Sequence, residues 1–299
     1  MLSDIVKEKY DHEEKQYLSI IKDIILTGDK IMGRNGYTYS KNGASMYFNL
    51  ENDTIPIITT KKMALKTCIK ELLWFISGKT DNTILNDQNV HIWDGNASKE
   101  FINSRNLNYN EGDLGPIYGH QWRHFNAEYK DCNTNYDNKG IDQLNNIIKM
   151  LKDPKEKYSR RLILSAWNPC QIEEMALPPC HILMQFNVSS KDELSCSMYQ
   201  RSADMGLGVP FNILSYSLLT ILIAKHCGLK AKEFIHHIGN AHVYDDHVEE
   251  LNIQTTREPY LFPKIKINNL YDNIEQYTLK DIEIYNYKCH ENIILNMRK

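Results

Sequence analysis

Residues 213–224, Ile-Leu-Ser-Tyr-Ser-Leu-Leu-Thr-Ile-Leu-Ile-Ala, are apolar on nearly every side of a helix. A helix without a polar face cannot lie on a surface and has to be surrounded. The run stops at Lys225, short of the roughly 20 residues that a bilayer crossing needs, so what surrounds it must be protein. A helix over 212–227 is therefore expected at the centre of the fold, with the remaining chain supplying layers around it. At 299 residues and 42% hydrophobic content the chain can do so. One domain over 1–299 is expected, because the polar stretches 103–112 and 130–140 are closely flanked by periodic segments and read as surface loops, not linkers.

Those layers are mixed. Tyr17, Ile20, Ile21, Ile24 and Ile25 recur at helical spacing, as do Leu144, Ile147, Ile148 and Leu151, and 65–77 reads as a further helix. Strand-like runs cover 162–167, 182–188, 195–201, 233–238 and 264–267. Strands that do not alternate strictly with helices point to the α+β class.

Composition narrows the function. A net charge of -3 offers no general attraction for nucleic acid, so dedicated nucleic-acid binding is not expected and an anionic substrate would need local arginines. Residues 1–10 mix charges and lack the apolar core of a signal peptide. Seven cysteines without regular spacing or a Cys-x-x-Cys pair predict free thiols in a reducing compartment, the cytoplasm or the nucleus, with no structural metal and no membrane partner.

One cysteine stands apart. Pro178 and Pro179 cannot donate ladder hydrogen bonds, so they place Cys180 at the mouth of the 182–188 strand, where it can face a cleft. A sulfur nucleophile acts as thiolate, which a nearby positive charge favours; Arg201 is the candidate. The next strand alternates, with Ser195, Ser197, Tyr199 and Arg201 on one face and Cys196, Met198 and Gln200 on the other. Arg201 is then expected to leave the sheet at its end, followed by an Ala-Asp-Met-Gly-Leu-Gly loop in which Gly206 and Gly208 permit close approach to a ligand.

Further blocks stand in order around these: Glu-Leu-Leu-Trp-Phe at 71–75, Ile-Trp-Asp at 92–94, Asp-Leu-Gly-Pro-Ile-Tyr-Gly-His-Gln-Trp-Arg at 113–123 and Ser-Arg-Arg at 159–161. Ala-Leu-Pro-Pro-Cys-His at 176–181, the 199–212 block, Gly-Asn-Ala-His-Val-Tyr at 239–244 and Arg-Glu-Pro at 257–259 complete the series. Together they resemble the thymidylate synthase family, from about Tyr17 to Met297 in one register, without a large insertion or an attached reductase domain.

The resemblance implies a large mixed sheet flanked by helices, packed back to back in a homodimer. It implies reductive methylation of dUMP to dTMP, with 5,10-methylenetetrahydrofolate as donor of both carbon and hydride, and no metal. Cys180 would add to carbon 6 of the uracil. Glu71 would be the acid-base group, with Tyr118 and His181 in its network, and the face of Trp93 would stabilise the cationic methylene intermediate. By the same resemblance Arg34, Arg201 and Ser202 would bind phosphate, with Arg160 and Arg161 reaching in from the partner subunit. Gln200 would contact the nucleotide, Asn212 would read the base, and His242 and Tyr244 the ribose. Asp204 would hold the pterin, in a pocket shaped by Ile92, Trp93, Asn96, Leu207, Gly208 and Phe211.

The chain also departs from the family pattern. Asn35-Gly36 follows Arg34 where Thr-Gly is usual, Asn240 stands for an aspartate, Lys62-Met63-Ala64-Leu65 follows Thr-Thr-Lys, and Met297-Arg298-Lys299 replaces a small apolar end. An end that covers the site poorly would admit water, which keeps a dUMP or dCMP hydroxymethylase as a rival. A catalytically silent nucleotide- or RNA-binding protein is the alternative of another class.

Overall fold

The computed structural model describes residues 6 and 8–298. The main helices are α1 (Glu14–Thr27), α2 (Leu65–Ile76), α3 (Tyr118–His124), α4 (Gln143–Lys152), α5 (Gly208–His226) and α6 (Val248–Thr255). The strands are β1 (Asp29–Gly33), β2 (Gly36–Asn49), β3 (Ile163–Ser165), β4 (His181–Val188), β5 (Glu193–Asp204), β6 (Lys230–Tyr244), β7 (Lys264–Ile267) and β8 (Ile282–Tyr285). Six of them form one mixed sheet in the order β1-β2-β6-β5-β4-β3, and β7 and β8 form a separate pair. The class is α+β, as expected. By compactness the chain divides into two units: Met1–Ala64, Val188–Leu270 and Lys280–Arg298 make the first, and Leu65–Asn187 with Tyr271–Leu279 the second.

In the first unit, β2 and β6 pair antiparallel from Thr38 opposite Tyr244 to Asn49 opposite Glu233. β5 runs parallel to β6, with an irregularity at Leu194 and Ser195. The face alternation expected for β5 is present: Leu194, Cys196, Met198 and Gln200 are buried, whereas Tyr199 is 42% exposed. α5 packs on β5 and β6, with Ile213, Leu214, Leu218, Leu219, Leu222 and Ile223 fully buried. By length and composition α5 alone among the described residues could cross a membrane, yet 72% of its apolar window is buried inside the protein. It is a core helix. It begins at Gly208, four residues before the expected Asn212, because Pro210 in the first turn surrenders only an N–H that has no intrahelical partner.

In the second unit, α4 buries Leu144, Ile147, Ile148 and Leu151, the stripe that its spacing predicts. β3 pairs antiparallel with β4, and α3 packs on α2 and α4. The 130–140 stretch is more than a surface loop. It returns Tyr136 to the interior, where the ring stacks on Tyr129 at 5.6 Å and meets His120 edge-on at 4.7 Å.

Candidate active site

The second unit gathers the residues with chemical potential around α2. Glu71 and Phe75 lie four apart on that helix and so share a face. Trp93 follows on the short segment before the Asp94–Ala97 turn and is 7% exposed. Its indole Nε1 donates to Glu71 Oε1 at 2.7 Å. Burial pushes the Glu71 carboxyl up to about 7, with the indole hydrogen bond pulling the other way. A carboxyl in that range can both give and take a proton at neutral pH.

Tyr118 opens α3. Its ring lies 6.2 Å from that of Trp93, 4.8 Å from Phe75 and 4.2 Å from His181, on which it stacks. Its hydroxyl accepts the Cys180 backbone N–H at 2.8 Å. Cys180 is half-buried and in no disulfide, immediately before β4, which starts at His181. The two prolines thus set the cysteine at a strand mouth, as their chemistry predicts. Glu71, Trp93, Phe75, Tyr118, His181 and Cys180 form one chain of contacts. Ile92 and Asn96 are half-buried on either side of Trp93, and Arg160 and Arg161 stand exposed ahead of β3.

The first unit holds its polar groups on strands. Ser202 lies opposite Asn240, and Asp204 opposite His242; Ser40 lies opposite His242 and Thr38 opposite Tyr244. The rings of His242 and Tyr244 are 5.5 Å apart and nearly perpendicular. Asn240, where an aspartate was the expectation, bonds its Oδ1 to His242 Nδ1 at 3.1 Å and donates from Nδ2 to Asn42 Oδ1 at 3.3 Å. Burial lowers the His242 pKa, against the charge of Asp204. Gln200 is 2% exposed and occupied, donating to the Ser202 carbonyl at 2.9 Å and meeting His236 Nε2 at 2.8 Å.

Two expectations need correction. β5 does not end at Arg201 but runs on to Asp204, because β6 offers paired backbone as far as His242. Arg201 is therefore a half-buried strand residue, and the connecting turn is only Met205, Gly206 and Leu207. Asp204 Oδ1 accepts the Gly206 N–H at 2.8 Å across that turn. At Gly208 an added Cβ would stand 3.7 Å from Asp204 Cβ and 3.8 Å from Asn212 Oδ1, so Asp204, Gly208 and Asn212 are neighbours. Leu207, Phe211 and Asn212 are half-buried at the start of α5. Arg34 is exposed in the two-residue turn that joins β1 to β2, between Gly33 and Gly36.

Phe75 was quoted in a sequence block without a role, although it touches Trp93, Tyr118, Trp122 and His181; its spacing from Glu71 was the available signal. Lys61 received no role from the sequence and Tyr17 only a place in a helical stripe, yet both bond to the turn after Asp204. No group of three or more His, Cys, Asp or Glu among the described residues is placed to hold a metal ion.

An α+β chain with a cysteine, a near-neutral carboxyl and a tryptophan in one contact chain is a candidate carbon-transfer enzyme. The sequence profile described as thymidylate synthase matches residues 15–298, and the chain belongs to that family. It is 52% identical over 289 residues to the bifunctional dihydrofolate reductase-thymidylate synthase of Plasmodium berghei (strain Anka), covering 96% of this chain and 49% of the relative. The corresponding bifunctional protein of Zea mays is 50% identical over 298 residues, covering 99% and 56%. The thymidylate synthase of Agaricus bisporus is 49% identical over 295 residues, covering 96% and 99%. The chain thus spans about half the length of the bifunctional relatives and nearly all of the Agaricus protein.

Proposed function

We propose that the chain is a thymidylate synthase, one catalytic domain over 1–299 that converts dUMP to dTMP with 5,10-methylenetetrahydrofolate and releases dihydrofolate. The observation that carries this reading is the Trp93–Glu71 hydrogen bond, linked through the Trp93 and Tyr118 rings to the backbone of Cys180. Carbon 5 of uracil is a poor nucleophile until a group adds at carbon 6. The Cys180 thiolate forms that sulfur–carbon bond, and the ring's electron pair moves through carbon 5 to O4 as an enolate. Glu71 exchanges protons with O4 and carbon 5, directly or through water, from a carboxyl held at about 7. When the product forms, the sulfur–carbon bond breaks and the thiolate returns.

Recognition falls to the first unit. Arg34, Arg201 and Ser202 take the phosphate, for which guanidinium forks are suited. Asn212 reads O4 and N3–H with an amide that both accepts and donates. Gln200, His242 and Tyr244 contact the nucleotide. The residues also fit a reduced folate: Asp204, whose neighbours are Gly208 and Asn212, offers a carboxylate to the ring's N–H groups, and would hold it with Leu207, Gly208 and Phe211. In the second unit Ile92, Trp93 and Asn96 would contact it. The folate supplies one carbon and a hydride when bound.

Incubating purified protein with dUMP and methylenetetrahydrofolate and weighing the nucleotide product tests the reading. Thymidylate with matching dihydrofolate supports it. Hydroxymethyl-dUMP with tetrahydrofolate would instead make the chain a hydroxymethylase, and no product would leave a silent binder.

The exposure of Arg160 and Arg161, with Tyr199 42% exposed on the first unit's sheet face, supports a homodimer in which each copy lends these arginines to the other's site. Mixing a Cys180→Ser protein with an Arg160→Ala/Arg161→Ala protein should then restore part of the activity that both lack. A nucleophilic Cys180 outside any disulfide suits a reducing compartment, the cytoplasm or the nucleus.

A further inference from the structure

Lys61 is 4% exposed, an uncommon position for an ammonium. The two residues before it are fixed by Glu14 of α1, which is 0% exposed. Glu14 Oε2 accepts the Thr59 N–H at 2.9 Å and hydroxyl at 2.6 Å. Oε1 accepts the Thr60 N–H at 2.9 Å and hydroxyl at 2.6 Å. Gln254 Nε2 adds a bond to Thr60 Oγ1 at 2.9 Å, and Arg257 Nη1 one to the Thr60 carbonyl at 2.7 Å. A buried carboxylate with four donors is a fixed point, and the residue that follows is aimed by it.

Lys61 Nζ donates to the carbonyl of Gly206. Tyr17, one turn along α1 from Glu14, donates its hydroxyl to the carbonyl of Met205 at 2.7 Å. Successive carbonyls of the turn are thus held from one platform, while the Gly206 N–H is held by Asp204 itself.

We propose that Lys61 is a positioning residue for Asp204: anchored by Glu14 through Thr59 and Thr60, it clamps the Gly206 carbonyl and so fixes the carboxylate that takes the folate ring. This rests on the function proposed above. Burying an ammonium costs stability that an apolar side chain of similar length would not cost. The burial pushes Lys61 down to about 8, against the charges of Asp204 on β5 and Glu14 on α1. The other titratable groups facing the clamp are the Tyr17 hydroxyl, the Tyr287 hydroxyl at the Lys61 carbonyl, and His247, whose Nδ1 lies 2.9 Å from where a Gly206 Cβ would stand.

The ammonium loses its charge as pH rises through about 8, so the clamp weakens on the alkaline side. Stability moves the other way. The unfolded lysine, near 10.5, holds more protons than the folded one between about 8 and 10.5, so stability gains with pH across that window. A merely structural lysine would show no such opposition between folate binding and stability.

The test compares the full chain with Lys61→Met and Lys61→Arg, after the wild type has been shown to make thymidylate. Lys61→Met should raise KM for methylenetetrahydrofolate roughly tenfold, the loss of one charge-assisted hydrogen bond. KM for dUMP should stay within about twofold and Tm should be unchanged or higher. Lys61→Arg should keep the low folate KM and abolish its rise above pH 8. In ligand-free protein, amide exchange at 205–207 should quicken in Lys61→Met and not in Lys61→Arg. A folate KM within twofold of wild type in Lys61→Met, or unchanged exchange, overturns the proposal. A parallel rise in both KM values with a lower Tm would reduce Lys61 to a core prop. A wild type that makes no thymidylate refutes the enzyme reading instead, and the exchange experiment still decides whether the clamp exists.

Discussion

The two units handle polar groups in opposite ways. The second sets its reactive groups at element starts or on a helix face among aromatic rings, so desolvation does the tuning: Glu71 is moved to about 7 by burial, with one indole N–H restraining it. The first sets its groups on paired strands, where Ser202, Asp204, His242 and Tyr244 take their places from ladder register. In the proposed mechanism, reactivity comes from withdrawing water and recognition from counting along a strand. A one-residue slip of β5 on β6 would turn Ser202 and Asp204 to the opposite face, whereas the aromatic cluster owes nothing to that register.

The two should therefore fail differently. Cys180→Ser removes the nucleophile and should lower kcat by about 10⁴-fold or more while dUMP still binds; isothermal titration beside turnover checks both halves, and ordinary turnover would end the proposed mechanism. Glu71→Gln should lower kcat by about 10³-fold. It should also erase the bend expected in the wild-type rate near pH 7, below which the carboxylate is protonated. Asn212→Asp should shift the dUMP to dCMP preference by roughly 10²-fold with little change in pH profile, and unchanged selectivity would dismiss Asn212 as the reader. The smallest effect sharpens the contrast. Trp93→Phe removes the donor that favours the carboxylate, so the bend should move to higher pH by roughly half to one unit; a move to lower pH would contradict the hydrogen bond.

What could be read in the sequence follows the same division. α5 was legible because an all-round apolar run leaves a helix only one place to go, and the β5 faces were legible because Cys196, Met198 and Gln200 alternate with Ser197 and Tyr199. Cys180 was legible from two prolines. The β1–β2 hairpin was not, because its exposed strand Asp29–Gly33 has no buried face to produce a pattern and its turn is an ordinary Arg34-Asn35. The start of α5 was hidden because Gly208-Val209-Pro210 reads as loop until the first-turn exemption of proline is applied. The Glu14, Thr59, Thr60 and Lys61 network joins segments 45 and 145 positions apart, and no local periodicity encodes such bonds. Asp204 was placed in a loop because β5 is prolonged by its partner, not by its own composition.

The distance along the chain between β2 and β6 also has a consequence during synthesis. Ser45 and His237 face each other 192 positions apart, so β2 leaves the ribosome long before the strand that completes it. Until β6 arrives, one edge of β2 stays open to other chains, and closing so large a loop is slow. The placement of Ser202 and Asp204 opposite Asn240 and His242 is then among the last features the growing chain acquires, and a polypeptide halted short of Asn240 would carry Cys180 and Glu71 without those cross-strand partners.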